Sequence, residues 1–248
     1  MSGSCIECYE DFLEAFMVTV MIPARGGSKG IPRKNLAMLG DQSLLARAMD
    51  TATRARGVGC VAVSSNDGEI LEAVQEFVSR SHIEVYASRR PEELSGDMVK
   101  TEGALDHTAG ELGLKDDDVI ITMQVTSPLT VSEDIEGVLE TKTGYDSVFS
   151  GCRDHGGWLC GGFRWRYNPK TDVANPLDYE LVERPMRQEV DTVTYIENGA
   201  LWGCTVGGLR KHNARLYGRI GVYEMPCTRS FEIDVEEDLI EIRKYLWP

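Results

Sequence analysis

Short apolar segments alternate with amphipathic segments over residues 1–150, and this alternation constrains the fold more than any other feature. Apolar, β-branched runs predict strands at 17–22, 60–65, 83–87, 118–124 and 146–150. Apolar residues at helical spacing predict helices at 43–56, 67–80, 101–112 and 132–142. Strands that alternate with helices pair in parallel through right-handed crossovers. We therefore predict an open, Rossmann-like α/β/α sandwich with a mostly parallel sheet.

The pattern changes after residue 150. Residues 151–188 are rich in glycine, aromatic residues and turn formers, which predicts hairpins and loops. Strands near 200–206 and 219–224 and a helix at about 236–246 follow. We expect an N-terminal extension over 1–16 and a single domain over 17–248. The insertion at about 151–193 would supply substrate contacts, a dimer contact, or both.

Composition restricts the class of protein. Hydrophobic residues make up 42% and charged residues 27% of the 248 residues, as is usual for a globular domain. No apolar run reaches the roughly 18 residues of a membrane span, and the acidic start "MSGSCIECYEDFLEAF" does not resemble a signal peptide. The formal net charge of −14 argues against nucleic-acid binding. We expect a cytoplasmic protein without a membrane or nucleic-acid partner.

Cysteine and histidine usage gives no sign of a metal centre. The seven cysteines are scattered and odd in number, which does not suggest a disulfide framework. Cys5 and Cys8 form one C-x-x-C motif without a second pair at zinc-site spacing. The four histidines are scattered as well, so they form no cluster along the sequence.

The stretch "MIPARGGSKGIPRKN", residues 21–35, concentrates positive charge in an acidic chain. It contains four cations and three glycines but no carboxylate. It follows the first predicted strand, at the edge where open α/β sheets bind ligands. Glycines let backbone N–H groups approach an anion closely, so the stretch predicts a polyphosphate site. The spacing matches neither a Walker A loop nor G-x-G-x-x-G. The alternative is a solvated basic turn.

The segment "ARGGSKGIPRKN" resembles the signature loop of the CMP-N-acylneuraminate (CMP-sialic acid) synthetases, with CMP-Kdo synthetases as more distant relatives. Further segments resemble that family in the same order: "VSSNDGEI" (63–70), "RRPEELSGDMVKT" (89–101), "MQVTSPL" (123–129), "DSVFS" (146–150), "RPMRQ" (184–188), "YIENGALW" (195–202) and "YEMPCTRSFEID" (223–234). The resemblance implies a sandwich of nucleotidyltransferase type. It also implies in-line attack of a nonulosonic acid's anomeric hydroxyl on the α-phosphate of CTP, which gives a CMP-sugar and pyrophosphate.

The resemblance also implies which residues bind the nucleotide. The implied triphosphate ligands are Arg25, Ser28, Lys29 and Lys34, of which Arg25 and Lys29 would be catalytic. Asn35 would reach the ribose. Arg90 and Thr101 would surround the cytosine. The alternatives are a surface ion pair of Arg90 with a glutamate at 92 or 93, and a helix-capping role for Thr101.

Four residues are implied for the sugar. Gln124 would lie near the reacting hydroxyl, unless it is an ordinary loop hydrogen-bonder. Arg187 would pair with the sugar carboxylate in the bidentate manner that suits a guanidinium, although a structural ion pair is the alternative. Asn198, in the "ENGA" turn, either contacts the sugar or tolerates a left-handed backbone. Trp202 stands where the sialic-acid enzyme has a tyrosine, so the pocket can fit another nonulosonate, such as legionaminate or pseudaminate.

Glu232 and Asp234 in "FEID" are the candidate metal ligands. They alternate along an extended segment, so both point to one face, and such a pair of oxygen ligands near a triphosphate suits Mg²⁺ or Mn²⁺. The family usually has Asp-x-Asp here, so Glu232 is a departure that can act through water. A solvated acidic strand end is the alternative.

Three functions remain open from the sequence. The first is a cytidylyltransferase for a nonulosonic acid, which would use CTP and a divalent ion and form a homodimer. The second is another nucleotide-sugar enzyme on a similar sandwich, such as a Kdo cytidylyltransferase or a glycosyltransferase. The third is a non-catalytic relative that binds nucleotides or sugars.

Overall fold

A computed structural model of the chain describes residues 18–27, 30–96, 98–153, 165–168, 170, 173–176 and 194–246. The predicted N-terminal extension and most of the predicted insertion lie outside these ranges. None of the helices in the described part of the chain combines the length and the apolar character that a bilayer crossing needs.

The strands of the described residues are, in chain order, β1 (Val18–Pro23), β2 (Met38–Leu39), β3 (Gln42–Ser43), β4 (Cys60–Ser65), β5 (Glu84–Arg89), β6 (Val119–Met123), β7 (Ser147–Arg153), β8 (Trp165–Asn168), β9 (Val173–Pro176), β10 (Tyr195–Thr205) and β11 (Ile220–Glu224). The helices are α1 (Leu44–Arg54), α2 (Gly68–Val78), α3 (Thr101–Glu111), α4 (Ser132–Lys142), α5 (Val206–His212) and α6 (Glu236–Leu246). Three-residue 3₁₀ helices occupy Lys34–Leu36, Glu92–Leu94 and Cys227–Arg229.

Seven of these strands form one sheet in the order β11-β7-β10-β6-β1-β4-β5. The pairs β1–β4, β1–β6, β4–β5 and β7–β11 are parallel, and β10 runs antiparallel to both of its neighbours. β2 pairs with β3, and β8 with β9, as separate antiparallel hairpins. The predicted mostly parallel sheet is therefore confirmed.

Each face of the sheet packs against its own layer of helices. One core joins Val20 and Val61 of the sheet to helices α1, α2 and α4. The opposite core joins Met21 and Ala62 to α3 and α5. Because neighbouring residues of a strand point to opposite faces, a strand covered on both sides must be buried along nearly its whole length and mostly apolar, as β1, β4 and β6 are. The α/β/α sandwich follows from that requirement.

β10 differs from its sequence prediction. It begins at Tyr195 rather than near 200, and its register against β7 shifts between Glu197 and Trp202. Gly199 adopts a left-handed φ of 70° at this irregularity, whereas Asn198 does not. The "ENGA" segment is thus a bulge within a long strand and not a turn, because a glycine can absorb the extra residue without ending the pairing.

Asp134 ties α4 to the chain that leads into the predicted metal segment. Its carboxylate is fully buried and accepts hydrogen bonds from the Val131 backbone N–H (2.9 Å), the Tyr223 hydroxyl (3.0 Å) and Arg229 Nε (3.1 Å). Burial and the Asp134 charge raise the pKa of Tyr223 to about 12. The short 3₁₀ helix that ends at Arg229 is therefore held against α4 by an ion pair in which the carboxylate is buried and Arg229 is partly exposed.

Replacing Asp134 with alanine should lower the free energy of unfolding by about 3 kcal/mol, because Arg229 and Tyr223 would lose their shared acceptor. Urea unfolding followed by circular dichroism measures this change. Asp50→Ala is the control, since its 2.9 Å pair with the exposed Arg54 should contribute at most about 1 kcal/mol. Equal losses in the two variants would contradict the role given to Asp134.

Candidate active site

The predicted site residues of the described chain gather at the carboxyl edge of the sheet. The parallel strands β1, β4, β5 and β6 all end at this edge. Leu201 of β10 pairs with Met123, the last residue of β6. Because β10 runs antiparallel to β6, its earlier residues 195–200 extend past the end of β6. The described residues of three further segments meet here: 24–27 with 30–35, 89–96 with 98–101, and 230–234. This is where open α/β sheets bind their ligands.

The backbone of the cationic loop is held by two asparagine side chains. Asn35 Nδ2 donates to the carbonyl oxygen of Arg25 at 2.8 Å. Asn66 Oδ1 accepts from the backbone N–H of Gly26 at 3.2 Å. Asn35, which the family resemblance implies for the ribose, thus uses its amide donor to fix the loop. Asn66 was not among the predicted site residues, although it lies in the quoted segment "VSSNDGEI".

Lys34 joins the loop to the predicted metal segment. Its Nζ donates to the carbonyl oxygen of Ile233 at 2.8 Å and pairs with Asp234 Oδ1 at 3.1 Å. A Cβ built on Gly30 would lie 2.0 Å from the carbonyl oxygen of Asp234, so only a glycine permits this close approach. The structure therefore brings together a predicted triphosphate ligand, Lys34, and a predicted metal ligand, Asp234.

Glu232 is the second carboxylate of this segment. Its Oε1 accepts from Thr126 Oγ1 at 3.1 Å, and the Ile233 N–H donates to the Thr126 carbonyl oxygen at 2.8 Å. Partial desolvation and the charge of Asp234 raise the pKa of Glu232, while the Thr126 hydrogen bond and Lys34 act in the opposite direction. The two predicted ligands are thus close enough to repel each other.

A divalent ion fits this pair of carboxylates. Neighbouring carboxylates that disfavour each other's ionisation are stabilised by a cation between them. Among the described residues, no group of three or more histidine, cysteine, aspartate or glutamate side chains is arranged to hold a metal. Two carboxylates are nevertheless enough for Mg²⁺, which usually takes its remaining ligands from water and substrate phosphates.

Arg90 lies on the other side of the loop. Its side chain is only 7% exposed, and it donates from Nε to Ser64 Oγ (3.2 Å) and from Nη2 to the Ser64 carbonyl oxygen (2.7 Å). Burial lowers the pKa of Arg90, and the charge of Arg25 lowers it further. A guanidinium buried against Ser64 is not a surface ion pair, so that alternative is wrong. Arg25 and Arg90 form a pair of neighbouring cations that an anion would stabilise.

Thr101 and Gln124 also lie at this edge. Thr101 is the first residue of α3, whereas the N-cap position belongs to Lys100, so the capping alternative for Thr101 is wrong. Gln124 directly follows β6, and its backbone N–H donates to the carbonyl oxygen of Ala200 at 3.0 Å. This bond fixes the start of the loop after β6 against β10 and leaves the half-buried Gln124 side chain at the edge of the sheet.

Asn198 is buried and uses its amide within the protein. It is 8% exposed, its Oδ1 accepts from Ser150 Oγ at 2.7 Å and its Nδ2 donates to Ser230 Oγ at 2.9 Å. Its Oδ1 also accepts from the Ala200 backbone N–H at 3.3 Å. These bonds connect β7, the bulge of β10 and the start of the predicted metal segment, so Asn198 orders that part of the site.

Trp202 lies on β10 and is largely enclosed. Its side chain is 7% exposed, and its Nε1 donates to Glu197 Oε1 at 2.7 Å. The guanidinium carbon of Arg215 lies 4.1 Å from the centre of the ring, and Arg215 Nε pairs with Glu102 at 3.1 Å. The indole N–H is therefore already occupied by a carboxylate. These two contacts of the indole could not be predicted, because no sequence pattern marks Glu197 or Arg215 as a partner of Trp202.

Three predicted site residues lie outside the described residues. Ser28 and Lys29 belong to the cationic loop, and Arg187 belongs to the predicted insertion. Their roles stay predictions from the sequence.

These features define a nucleotidyltransferase-type α/β protein. The fold is a three-layer sandwich with a mostly parallel sheet. A cationic glycine loop follows the first strand, and a carboxylate pair lies at the same edge of the sheet. The sequence profile described as "Cytidylyltransferase" matches residues 19–198. The chain belongs to this cytidylyltransferase family, as its resemblance to the N-acylneuraminate enzymes predicted.

Known relatives support the assignment. The chain is 31% identical to an N-acylneuraminate cytidylyltransferase of Oncorhynchus mykiss over 89% of its length and 48% of the relative. It is 32% identical to an 8-amino-3,8-dideoxy-manno-octulosonate cytidylyltransferase of Shewanella baltica (strain OS185), over 66% of the chain and 60% of the relative. The chain thus spans about half the length of the first of these curated relatives.

Solved structures share the fold. A CMP:2-keto-3-deoxy-manno-octonic acid synthetase complexed with CTP superposes with a TM-score of 0.65, over 93% of this chain and 98% of that one, at 14% identity. At this level of identity the similarity concerns the fold alone. It confirms the nucleotidyltransferase-type sandwich that the family resemblance implied.

Gly30→Ala should lower the free energy of unfolding by about 2 kcal/mol, because the added methyl group would force the loop away from the Asp234 carbonyl oxygen. Gly27→Ala is a matched control in the same loop, since a Cβ built there has no atom within 4 Å. Thermal unfolding of both variants without ligand measures the difference. If both are equally stable, the loop does not lie against Asp234.

Glu232→Gln should stabilise the ligand-free protein at pH 7, and the gain should disappear below about pH 4.5. The raised pKa of Glu232 means that its ionised form is disfavoured in the folded state. Ionisation of Glu232 therefore lowers the stability of the folded protein as the pH rises above 4.5, the ordinary pKa of a glutamate. Denaturant unfolding at pH 4 and pH 7 measures the gain at each pH. A gain of the same size at both values would exclude ionisation of Glu232 as its cause.

Proposed function

We propose that the protein is a cytidylyltransferase that transfers CMP from CTP to the anomeric hydroxyl of an acid sugar and releases pyrophosphate. The observation that carries the proposal is the pairing of Lys34 with Asp234, with Glu232 alongside, at the edge where the cationic loop ends. Membership of the cytidylyltransferase family supports the choice of CTP. The proposed sugar is a nonulosonic acid of the N-acylneuraminate type.

The cationic side chains would bind the nucleotide. Arg25 and Arg90 are close enough for the charge of Arg25 to lower the pKa of Arg90, and an anionic ligand would relieve this repulsion. Lys34 and the predicted residues Ser28 and Lys29 would add further positive charge and donors along the triphosphate. Because hydrogen bonds hold Arg90 and Lys34 before the substrate arrives, these two cations can stabilise charge on the phosphate oxygens with little further reorganisation.

Glu232 and Asp234 would hold a divalent cation, Mg²⁺ or Mn²⁺. When bound, such an ion offsets the negative charge that develops on the phosphate oxygens. Thr126 orients Glu232 through a hydrogen bond, and Lys34 orients Asp234 through the ion pair. The two carboxylates are thus held in place by different elements before any ion binds.

The sugar would occupy the space beside Gln124, between the ends of β6 and β10. There Gln124 could orient the attacking hydroxyl, and the predicted partner of the sugar carboxylate is Arg187. Trp202 gives its N–H to Glu197, so the sugar would meet the Glu197 carboxylate rather than an open indole donor. This difference from the tyrosine of the sialic-acid enzymes keeps legionaminate, pseudaminate and Kdo-type sugars as alternatives.

The choice of an N-acylneuraminate-type sugar rests on the extent of similarity. The N-acylneuraminate relative matches 89% of this chain, whereas the 8-amino-3,8-dideoxy-manno-octulosonate relative matches 66%.

A homodimer and a cytoplasmic location stay expectations that accompany this proposal. A non-catalytic protein that binds CTP is the second candidate function.

Pyrophosphate release tests the proposal. The protein is incubated with Mg²⁺, one nucleoside triphosphate and one acid sugar from a panel of N-acetylneuraminate, legionaminate, pseudaminate, Kdo and 8-amino-Kdo. We expect release with CTP and not with UTP, GTP or ATP, and the highest rate with a nonulosonate. CTP binding without release for every sugar would favour the non-catalytic alternative.

Asp234→Asn should lower kcat/KM for CTP by about a hundredfold, because the paired carboxylate that the cation needs would be lost. Glu232→Gln removes the same charge from the neighbouring residue and should cost much less if Glu232 acts through water. Initial rates over a range of Mg²⁺ concentrations measure both variants. Full activity of Asp234→Asn with unchanged Mg²⁺ dependence would place the metal site elsewhere.

A further inference from the structure

The end of β4 connects the two segments that the proposed function gives to the nucleotide. The Ala24 backbone N–H donates to the Ser64 carbonyl oxygen, and the Arg90 backbone N–H donates to the Ser65 carbonyl oxygen, both at 2.9 Å. These bonds fix where the cationic loop and the segment 89–101 leave the sheet. They do not fix either segment further along, because each bond involves a single residue near the start of its segment.

Asn66 makes the next connection with its side chain. Its Oδ1 accepts from the Gly26 N–H at 3.2 Å, and its Nδ2 donates to Glu92 Oε2 at 3.2 Å and Oε1 at 3.4 Å. A primary amide is suited to this position because it has an acceptor on one side and donors on the other. One side chain therefore joins the cationic loop to the 3₁₀ helix Glu92–Leu94.

The peptide unit between Arg25 and Gly26 is held from both sides. Asn35 donates to its carbonyl oxygen at 2.8 Å, and Asn66 accepts from its N–H at 3.2 Å. A peptide unit is planar, so two hydrogen bonds to its opposite ends fix its rotation. That rotation sets the directions of the Arg25 carbonyl and the Gly26 N–H, and so the course of the backbone where the loop leaves β1.

We propose that Asn66 is a positioning residue, which sets the orientation of the Arg25–Gly26 peptide relative to the segment that begins at Arg90. This inference rests on the proposed function, since CTP is the ligand that would contact both segments. Asn66 acts through Gly26 and Glu92 and need not touch the nucleotide itself. Fixing the peptide in advance lowers the cost of ordering the loop when CTP binds.

Asn66→Asp tests the inference because it keeps the acceptor for Gly26 and removes the donor to Glu92. The introduced carboxylate would face the Glu92 carboxylate without a proton between them, and like charges at that distance repel. We expect the KM for CTP to rise by about tenfold while kcat stays within about twofold, since binding of the nucleotide is affected more than its reaction.

Glu92→Gln should rescue the variant, since a glutamine amide at that position can donate to the introduced carboxylate. We expect the double variant to return to within about twofold of the wild-type KM for CTP, which would show direct coupling of the two side chains. Glu93→Gln removes the same charge from the next residue and is the matched control, and it should not rescue Asn66→Asp.

The outcomes separate this inference from the proposed function. A lower melting temperature and lower kcat with an unchanged KM would mean that Asn66 is only structural, and would overturn the inference. If the wild-type protein releases no pyrophosphate, the Kd for CTP measured by calorimetry replaces KM. The same loss and rescue in Kd would support the inference while the proposed function fails, and an unchanged Kd would overturn it.

Discussion

The contact between Lys34 and the segment Ile233–Asp234 holds the candidate site together. It joins residues about 200 positions apart through a hydrogen bond of 2.8 Å and an ion pair of 3.1 Å. The contact is possible only because Gly30 lets the loop approach the Asp234 backbone. Without it, the cationic loop and the acidic segment would be two separate charged surfaces, and each would be better solvated alone. Held together, they place opposite charges side by side at one edge of the sheet.

Buried polar groups around this contact hold the described part of the site in place. Asp134 holds the 3₁₀ helix that precedes the acidic segment, and Asn198 connects β7, β10 and Ser230 with one amide. On the opposite side Arg90 is held against Ser64. Asp134, Asn198 and Arg90 each make hydrogen bonds within the protein, and these bonds fix the backbone of the described part of the site.

Several roles that the family resemblance implies look different in three dimensions. Asn35 and Asn198 were predicted to contact substrates, yet both use their amides on the protein. Trp202 was placed in the sugar pocket by its match to the tyrosine of the sialic-acid enzymes, yet its indole N–H is donated to Glu197. A motif gives the residue type and its approximate place in the fold. The hydrogen-bond partners of a side chain with several donors and acceptors can be assigned only when its neighbours are known. Those neighbours are distant in sequence.

The sequence by itself determined the sandwich, the alternation of its main strands and helices over the first 150 residues, and the edge at which a ligand would bind. The elements follow from periodicity, which can be read from each chain segment alone. The edge follows because parallel strands all end on the same side of a sheet. The sequence did not determine the bulge at Gly199, the pairing of Lys34 with Asp234 or the bridge from Asn66 to Glu92. Only the tertiary structure decided these, because each depends on a distance between segments that local sequence does not encode.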